Sequence, residues 1–197
     1  LDVNPNDYLS LSVIDLSVVP TLLRQVETYS AYLTEALENG QLSTISRARQ
    51  RMYPFGKFAD SSSDMVDFMA FLDATRQFAP NMASQIESTY RTAIHYSLGT
   101  DMFDYLTGMS ILVPGSNVSE FITNFDEQYD CGEKYPNYSQ FAYGYATLLA
   151  GGNYTFTLQA PTQASASSTG GLFSSLLHAD AVPGGTYVVP EDASNDA

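Results

Sequence analysis

One short apolar segment, residues 108–114, constrains the fold more than any other part of the sequence. It reads Gly108-Met109-Ser110-Ile111-Leu112-Val113-Pro114, a partly β-branched run with Gly before it and Pro-Gly after it. Because Gly and Pro interrupt helices, the run predicts a single strand in which Ile111 is buried. Most of the surrounding sequence has helical spacing. We therefore expect a mainly helical α+β fold with a few strands, whose small sheet is not complete within this chain.

The first part of the chain predicts a strand followed by a long helix. Residues 9–16 begin with alternating apolar and polar side chains, which is typical of a short strand. Ser17 is a candidate N-cap, Pro20 falls in the first helical turn, and Gly40 is placed to end the helix. The predicted buried stripe of this helix consists of Leu22, Leu23, Val26, Tyr29, Leu33 and Leu37.

Two further helices are predicted in the middle of the chain. One begins after a cap at Ser62 or Ser63, with Asp64 and Asp67 in its first turns near the positive end of the helix dipole. Its predicted buried side consists of Met65, Phe68, Met69, Phe71 and Leu72. The other covers residues 80–97 and ends at Gly99, which would place His95 near its buried face.

The last third of the body predicts two more helices and a strand. Residues 118–125 have helical spacing after a cap at Ser116 or Asn117, and residues 138–150 have it before a Gly-Gly pair. Residues 154–158 alternate between apolar and polar side chains, which indicates a final strand.

The composition changes after residue 158. Residues 160–171 consist of Ala, Ser, Thr, Gln and Gly with one Pro, a composition typical of linkers. We therefore predict a folded body over residues 1–158, followed by a linker and an acidic tail over residues 159–197. The first residue is Leu1 and not Met, which predicts a processed chain.

The charge of the chain restricts its partners. Asp and Glu number 22 against 8 Lys and Arg, so the net charge is -14. Such a field repels phosphate backbones, which excludes nucleic acid as an expected partner. No apolar run reaches the length of about 18 residues that a transmembrane helix needs, so no membrane span is predicted. Abundant Ser, Thr and Asn with little Lys is typical of a secreted or cell-surface bacterial protein.

The acidic chain also raises the question of calcium. Asp126, Glu127, Asp130 and Glu133 lie close together in the sequence. Their spacing does not match an EF-hand loop, so calcium is possible but no motif signals it. No cofactor is predicted.

Catalytic chemistry has few candidate residues here. Cys131 is the single cysteine, and His95 and His178 are the two histidines, so neither a disulfide framework nor a Cys-based zinc site can form within the chain. A pair of Cys131 with a histidine is disfavoured, because Cys131 lies in a polar turn and His178 lies beyond the predicted linker. No phosphate-binding, dinucleotide-binding or zinc-protease motif occurs. We assign no catalytic, cofactor-binding or metal-binding residue.

A run of arginines stands out in so acidic a chain. Arg47, Arg49 and Arg51 lie close together and could form an anion site if their side chains converged. Pairing with nearby carboxylates is the commoner arrangement for such residues, and it is the one that we predict.

Four segments of the chain resemble one known family in the same order. They are residues 11–17 (LSVIDLS), the basic residues 47–49 with residues 64–68 (DMVDF), residues 108–114 (GMSILVP) and the aromatic stretch 138–149. Together they resemble the clostripain-like cysteine peptidases of the caspase-like clan, in the region C-terminal to the catalytic core. The resemblance covers residues 8–150.

The resemblance implies a caspase-like α/β peptidase whose C-terminal helical-bundle subdomain adds a few strands to the catalytic sheet. It also implies a catalytic dyad made of a histidine in a His-Gly motif and a cysteine in an Asp-x-Cys motif. The family's dyad precedes the segment that resembles residues 11–17. Here Tyr96 follows His95, Ala179 follows His178, and Cys131 comes after residues 108–114, so none of them matches. No catalytic role is therefore carried over to this chain.

The resemblance implies that the chain is the non-catalytic C-terminal portion of a secreted clostripain-like endopeptidase. The intact enzyme would cleave peptides after Arg or Lys, and this portion would support an upstream catalytic chain or domain of the same protein. Two alternatives stay open. One is an acidic extracellular binding or adhesion module, and the other is an inactive homologue of the peptidase.

Overall fold

The computed structural model describes residues 10–53, 64–99, 104–115, 118–128 and 134–157. These residues form a mainly helical structure with a few short strands, which agrees with the α+β class. In chain order the elements are β1 (Ser10–Ile14), α1 (Val19–Glu38), α2 (Leu42–Arg49), β2 (Met65–Asp67), α3 (Phe68–Thr75), a 3-10 turn (Arg76–Phe78), α4 (Pro80–Ala93), β3 (Ile94–Gly99), β4 (Ser110–Leu112), α5 (Val118–Gln128) and α6 (Pro136–Leu149).

The strands of the described residues form two separate antiparallel pairs. β1 pairs with β3, and β2 pairs with β4. The predicted strand within residues 108–114 is confirmed as β4, and Ile111 at its centre is 8% exposed and lies opposite Val66. β4 therefore pairs with a strand of the same chain. Among the described residues each sheet contains two strands.

Helix α1 lies at the centre of the core and contacts α4 and α6. Its buried stripe includes five of the six predicted residues; Leu23 is the exception, with 38% of its surface exposed. The largest fully buried side chains are Tyr29, Tyr145, Phe71, Phe125 and Phe141. A smaller cluster joins α5 to α6 through Phe121, Phe125, Ala142 and Ala146. None of the described helices is both long enough and apolar enough to cross a membrane.

The predicted ends of α1 are partly correct. Pro20 lies in the first turn, and Gly40 follows the C-cap Asn39 with φ of 76°, as a C′ glycine does. Ser17 is not the N-cap. That position belongs to Val18, while the N–H and hydroxyl of Ser17 both donate to Asp15 Oδ1, at 2.8 and 2.6 Å.

The start of the second predicted helix is wrong by several residues. Met65–Asp67 is a strand, and α3 begins at Phe68 with Asp67 as its N-cap. Pairing with β4 keeps the backbone extended up to Asp67, whose side chain then accepts from the N–H of Ala70 at 3.0 Å. Phe68, Met69, Phe71 and Leu72 are buried as predicted, whereas Met65 is only partly buried; Ser62 and Ser63 lie outside the described residues.

The helix predicted over residues 80–97 ends early. α4 stops at Ala93, and the next six residues form β3. Residues 94–99 fit a helical stripe and a strand alternation about equally well, and pairing with β1 decides between the two. His95, predicted near a buried helix face, is therefore on an exposed strand.

The C-terminal part of the body differs from the prediction at one element. α5 and α6 are confirmed, and Gly151 ends α6 with φ of 79°; the predicted caps Ser116 and Asn117 lie outside the described residues. Residues 152–157 form no strand. They lie on α6, where a β-carbon on Gly144 would overlap the Phe156 ring and would be 2.8 Å from Tyr154 Cδ1. The predicted linker and tail, 159–197, also lie outside the described residues, so the boundary at 158 stays a prediction.

Candidate interaction surface

The pair β1–β3, here called the ribbon, carries four exposed apolar side chains on one face. Leu11 lies opposite Leu98, and Val13 lies opposite Tyr96. Directly opposite residues share a face of a sheet, and residues two apart on a strand do so as well. These four side chains are 61%, 57%, 50% and 49% exposed, in the order just given. We call them the apolar face of the ribbon.

The other face of the ribbon carries serines and lies against the body. Ser12 and Ser97 are opposite each other, and their hydroxyls donate to the carbonyls of Gly108, at 2.7 Å, and Leu106, at 3.4 Å. An antiparallel sheet with one buried face normally buries its apolar side chains and exposes its polar ones. The ribbon departs from this pattern on its outer face, which is apolar, while its inner face carries Ser12 and Ser97 together with the partly buried Ile14 and Ile94.

Gly108 permits this close approach. Its φ is 124°, a conformation that side chains of L-residues rarely adopt, and a β-carbon there would be 3.2 Å from Ile94 Cδ1 and 3.4 Å from Ser12 Oγ. The first residue of the organising segment 108–114 therefore sets the position of the ribbon.

His95 lies at an irregularity of the ribbon. Val13 is opposite Tyr96 and Ile14 is opposite Ile94, so His95 is an extra residue, as in a β-bulge. Its side chain is 63% exposed, with Nε2 3.9 Å from Asp15 Oδ2. Hydrogen bonds from the Ser17 hydroxyl and N–H lower the pKa of Asp15, and His95 adds to this effect. Cys131 and His178 lie outside the described residues, so the structure does not test a pairing of Cys131 with either histidine.

The body that supports the ribbon is built around β4 and its flanks. Arg49 Nε donates to the carbonyl of Val113 at 3.1 Å. The Asp64 carbonyl accepts from the Val113 N–H at 2.7 Å, and Asp64 Oδ1 accepts from the Gly115 N–H at 2.6 Å. Burial raises the pKa of Asp64, while the Gly115 N–H and the charge of Arg49 act in the opposite direction. Arg49 and Asp64 thus hold the C-terminal end of β4 together.

The three predicted arginines do not converge on an anion site in this arrangement. Arg49 is buried, and the charge of Asp64 is one of the influences on its pKa, which burial lowers. Arg47 Nε donates to the Ser43 carbonyl and Arg51 Nε to the Arg47 carbonyl, at 3.2 and 3.4 Å.

Asp67 joins β2 to the segment that supports the ribbon. The carboxylate is 1% exposed and accepts from the N–H of Thr107 at 2.7 Å and from the hydroxyl of Thr107. That hydroxyl is 2.9 Å from the hydroxyl of Tyr90, which in turn accepts from the Met109 N–H at 3.0 Å. The residues on both sides of Gly108 are therefore fixed by side chains of β2 and α4.

Glu27 joins α6 to α1. Its Oε1 and Oε2 accept from the N–H groups of Asn137 and Tyr138 at 2.7 and 2.9 Å, which satisfies donors in the first turn of α6. Burial raises the pKa of Glu27, although these two hydrogen bonds oppose the shift. The Tyr138 hydroxyl donates to the Leu112 carbonyl, so α6 also contacts β4.

Other site chemistry is limited in the part of the chain that the structure describes. No group of three His, Cys, Asp or Glu side chains there could hold a metal ion. The calcium candidates cannot be placed, because Asp130, Glu133 and the side chains of Asp126 and Glu127 lie outside that part. An open depression of about 440 Å³ is lined by Arg51, Tyr53, Ala70, Asp73, Ala74 and Gln77.

No protein-family model, curated protein or solved structure matches this chain. The sequence did not single out the apolar face as a site. The alternation in residues 9–16 predicted β1. β3 was not predicted, because the helical spacing before residue 94 favoured a continued helix.

Proposed function

We propose that this chain is the non-catalytic C-terminal portion of a secreted clostripain-like cysteine endopeptidase. In this role it buttresses a catalytic domain that cleaves peptides after Arg or Lys, and its strands extend the caspase-like sheet of that domain. The observation that carries the proposal is the way in which the four segments of the family resemblance contact one another.

These contacts all lead to residues 108–115. Ser12, from the first segment, bonds to Gly108, and Arg49 and Asp64, from the second, bond to Val113 and Gly115. From the fourth segment, Tyr138 bonds to Leu112. Segments that are similar to one family by sequence would be expected to meet in this way if they share that family's core.

A supporting role also suits the exposed part of the molecule. The ribbon leaves Leu11, Val13, Tyr96 and Leu98 uncovered, and the described histidine, His95, stands in no His-Gly motif. A chain with an uncovered apolar sheet face and no recognisable dyad is suited to supporting a catalytic partner.

The test is peptide hydrolysis by two preparations. One is the chain 1–197 alone, and the other is the same chain co-expressed with the polypeptide encoded immediately before Leu1. We expect fluorogenic peptides ending in Arg or Lys to be cleaved by the second preparation and not by the first.

Cys131→Ala provides the control, since it should leave the activity of the co-expressed preparation unchanged. Hydrolysis by the chain alone that disappears in Cys131→Ala would overturn the non-catalytic role. An upstream polypeptide without a His-Gly and an Asp-x-Cys motif would instead favour an inactive homologue or the acidic binding module.

A further inference from the structure

We propose that the apolar face of the ribbon is the docking surface for the catalytic region, and that the surface covering it is apolar with a basic group near Asp15. This inference rests on the proposed function and adds to it the residues of the interface and the chemistry of the partner.

The first argument is the apolar outer face of the ribbon. The opposite face contacts the body through Ser12, Ser97 and Ile94, so the body does not cover Leu11, Val13, Tyr96 and Leu98. Among the described residues, the large apolar side chains with the highest exposure are these four together with Leu16, at 75%, and Tyr53, at 52%. A contiguous apolar patch on an otherwise polar surface marks an interaction site.

The second argument is that the patch is held in place before binding. Gly108 and Ser12 fix the inner face of the ribbon, and Asp15 N–H donates to the Ala93 carbonyl at 2.8 Å where the two strands join their helices. A rigid surface loses little conformational freedom on association, which favours affinity.

The third argument is the form of the ribbon. In the described part of the chain β1 and β3 have no strand neighbour other than each other, so each retains one outer edge. Such an edge can accept a further strand through main-chain hydrogen bonds. A strand of the partner can therefore continue the ribbon at an edge, while another element of the partner covers its apolar face.

The charge of the chain favours a basic partner over a second copy of the chain. Each copy has a net charge of -14, and residues 10–18 and 94–99 contain Asp15 but neither Lys nor Arg. Two copies would bring like charges together, whereas a partner with basic groups around an apolar centre is complementary. A stable interface buries roughly 800 Å² of surface on each partner, which is more than four side chains can supply. Contacts beyond these four, such as at Leu16, are therefore needed.

The experiment measures the dissociation constant between the upstream polypeptide and chain 1–197 by sedimentation titration. Two variants alter the apolar face, the double variant Leu11→Ser with Leu98→Ser, and Tyr96→Ser. Tyr53→Ser is the matched control, because the exposure of Tyr53 is nearly the same as that of Tyr96. Circular dichroism confirms that each variant is folded.

We expect the dissociation constant to rise at least tenfold in both ribbon variants and less than twofold in Tyr53→Ser. The affinity of the wild-type chain should also fall as NaCl is raised from 50 to 500 mM, because a basic partner group near Asp15 would be screened.

Equal affinity of the ribbon variants and the wild type would overturn the docking surface, even if the complex hydrolyses peptides as the proposed function requires. A wild-type chain that sediments alone as a dimer, and as a monomer once the ribbon is altered, would make a second copy the occupant and also overturn it. Tight ribbon-dependent binding without hydrolysis would support the docking surface and count against the proposed function.

Discussion

Glu27 and Asp67 are carboxylates inside the fold whose oxygens accept backbone N–H groups from distant parts of the chain. Glu27 accepts a hydrogen bond from a backbone N–H in the first turn of α6, 110 residues further along the chain. Asp67 accepts one from the N–H of Thr107, 40 residues further along. A buried charge is costly unless it is hydrogen-bonded, and both of these are. At the residue scale, the positions of α6 and of the segment before β4 therefore depend on two acidic side chains.

Glu27→Gln should change the pH dependence of stability. Burial raises the pKa of Glu27 in the folded state above its usual value of 4.5. The folded state then holds its proton more firmly than the unfolded state does. The stability that comes from this tighter proton binding is fully present below the pKa of Glu27 in the unfolded state. It is lost as the pH rises through the pKa of Glu27 in the folded state. We expect the free energy of unfolding of the wild type to fall relative to that of Glu27→Gln between pH 4 and pH 7, measured by urea denaturation.

Glu87→Gln is the control with the opposite sign. Hydrogen bonds from Arg91 and then Arg76 lower the pKa of Glu87. Its contribution is present above the unfolded pKa and is lost as the pH falls through the folded pKa. The wild type should therefore gain stability relative to Glu87→Gln as the pH rises. The same slope in both variants would contradict the role given to the burial of Glu27.

At the scale of elements, the ribbon depends on a loop and not on a larger sheet. It has two strands from distant parts of the chain, and an isolated pair of strands is at best marginally stable in water. Its support comes from Ser12 and Ser97, which bond to residues 106–108, and from α1 and α4, which continue its strands. Gly108 is the point at which the ribbon and β4 meet.

Gly108→Ala should therefore destabilise the protein more than Gly40→Ala does. Both glycines have positive φ, 124° and 76°, but a β-carbon at Gly40 meets nothing within 4 Å, whereas one at Gly108 meets Ile94 and Ser12. We expect a loss of about 1–3 kcal/mol at Gly108 and about 1 kcal/mol at Gly40, measured by urea unfolding. Equal losses would mean that the contact between the ribbon and the loop contributes little.

At the scale of the whole molecule, one helical core organises the described residues between 10 and 157. α1 contacts both α4 and α6, and α5 joins through its own small cluster. The end of this body is attached to α6, because the Gln140 side chain accepts from the Thr157 N–H at 2.5 Å and Tyr154 and Phe156 lie over Gly144. The acidic composition, with a net charge of -14, affects the partners of this body more than its core.

Removal of residues 159–197 should leave the melting temperature within about 2 °C of that of the full chain, since these residues form the predicted linker and tail. Thermal unfolding followed by circular dichroism provides the measurement. A second truncation after residue 151 also removes Tyr154 and Phe156 from α6, and it should melt several degrees lower. A large drop on removal of 159–197 alone would show that the body extends beyond residue 158.

The sequence by itself determined the elements whose signals are local. The stripe of α1 repeats from Leu22 to Leu37, Gly40 and Gly151 terminate helices within one turn, and the flanking Gly and Pro define the strand at Ile111. Such signals act between residues that are three or four apart, so they can be recognised without knowing the rest of the fold.

Only the tertiary structure decided whether the residues of β2 and β3 form strands or helices. It also decided which face of the ribbon is exposed. Residues 94–99 become a strand because Ser10–Ile14 pairs with them, and Met65–Asp67 does so because β4 is its neighbour. Leu11 and Val13 face outward because Ser12, between them, bonds to a carbonyl 96 residues away. These short segments are stabilised by contacts with residues that are distant in the sequence. The spacing of neighbouring residues therefore cannot predict their conformation.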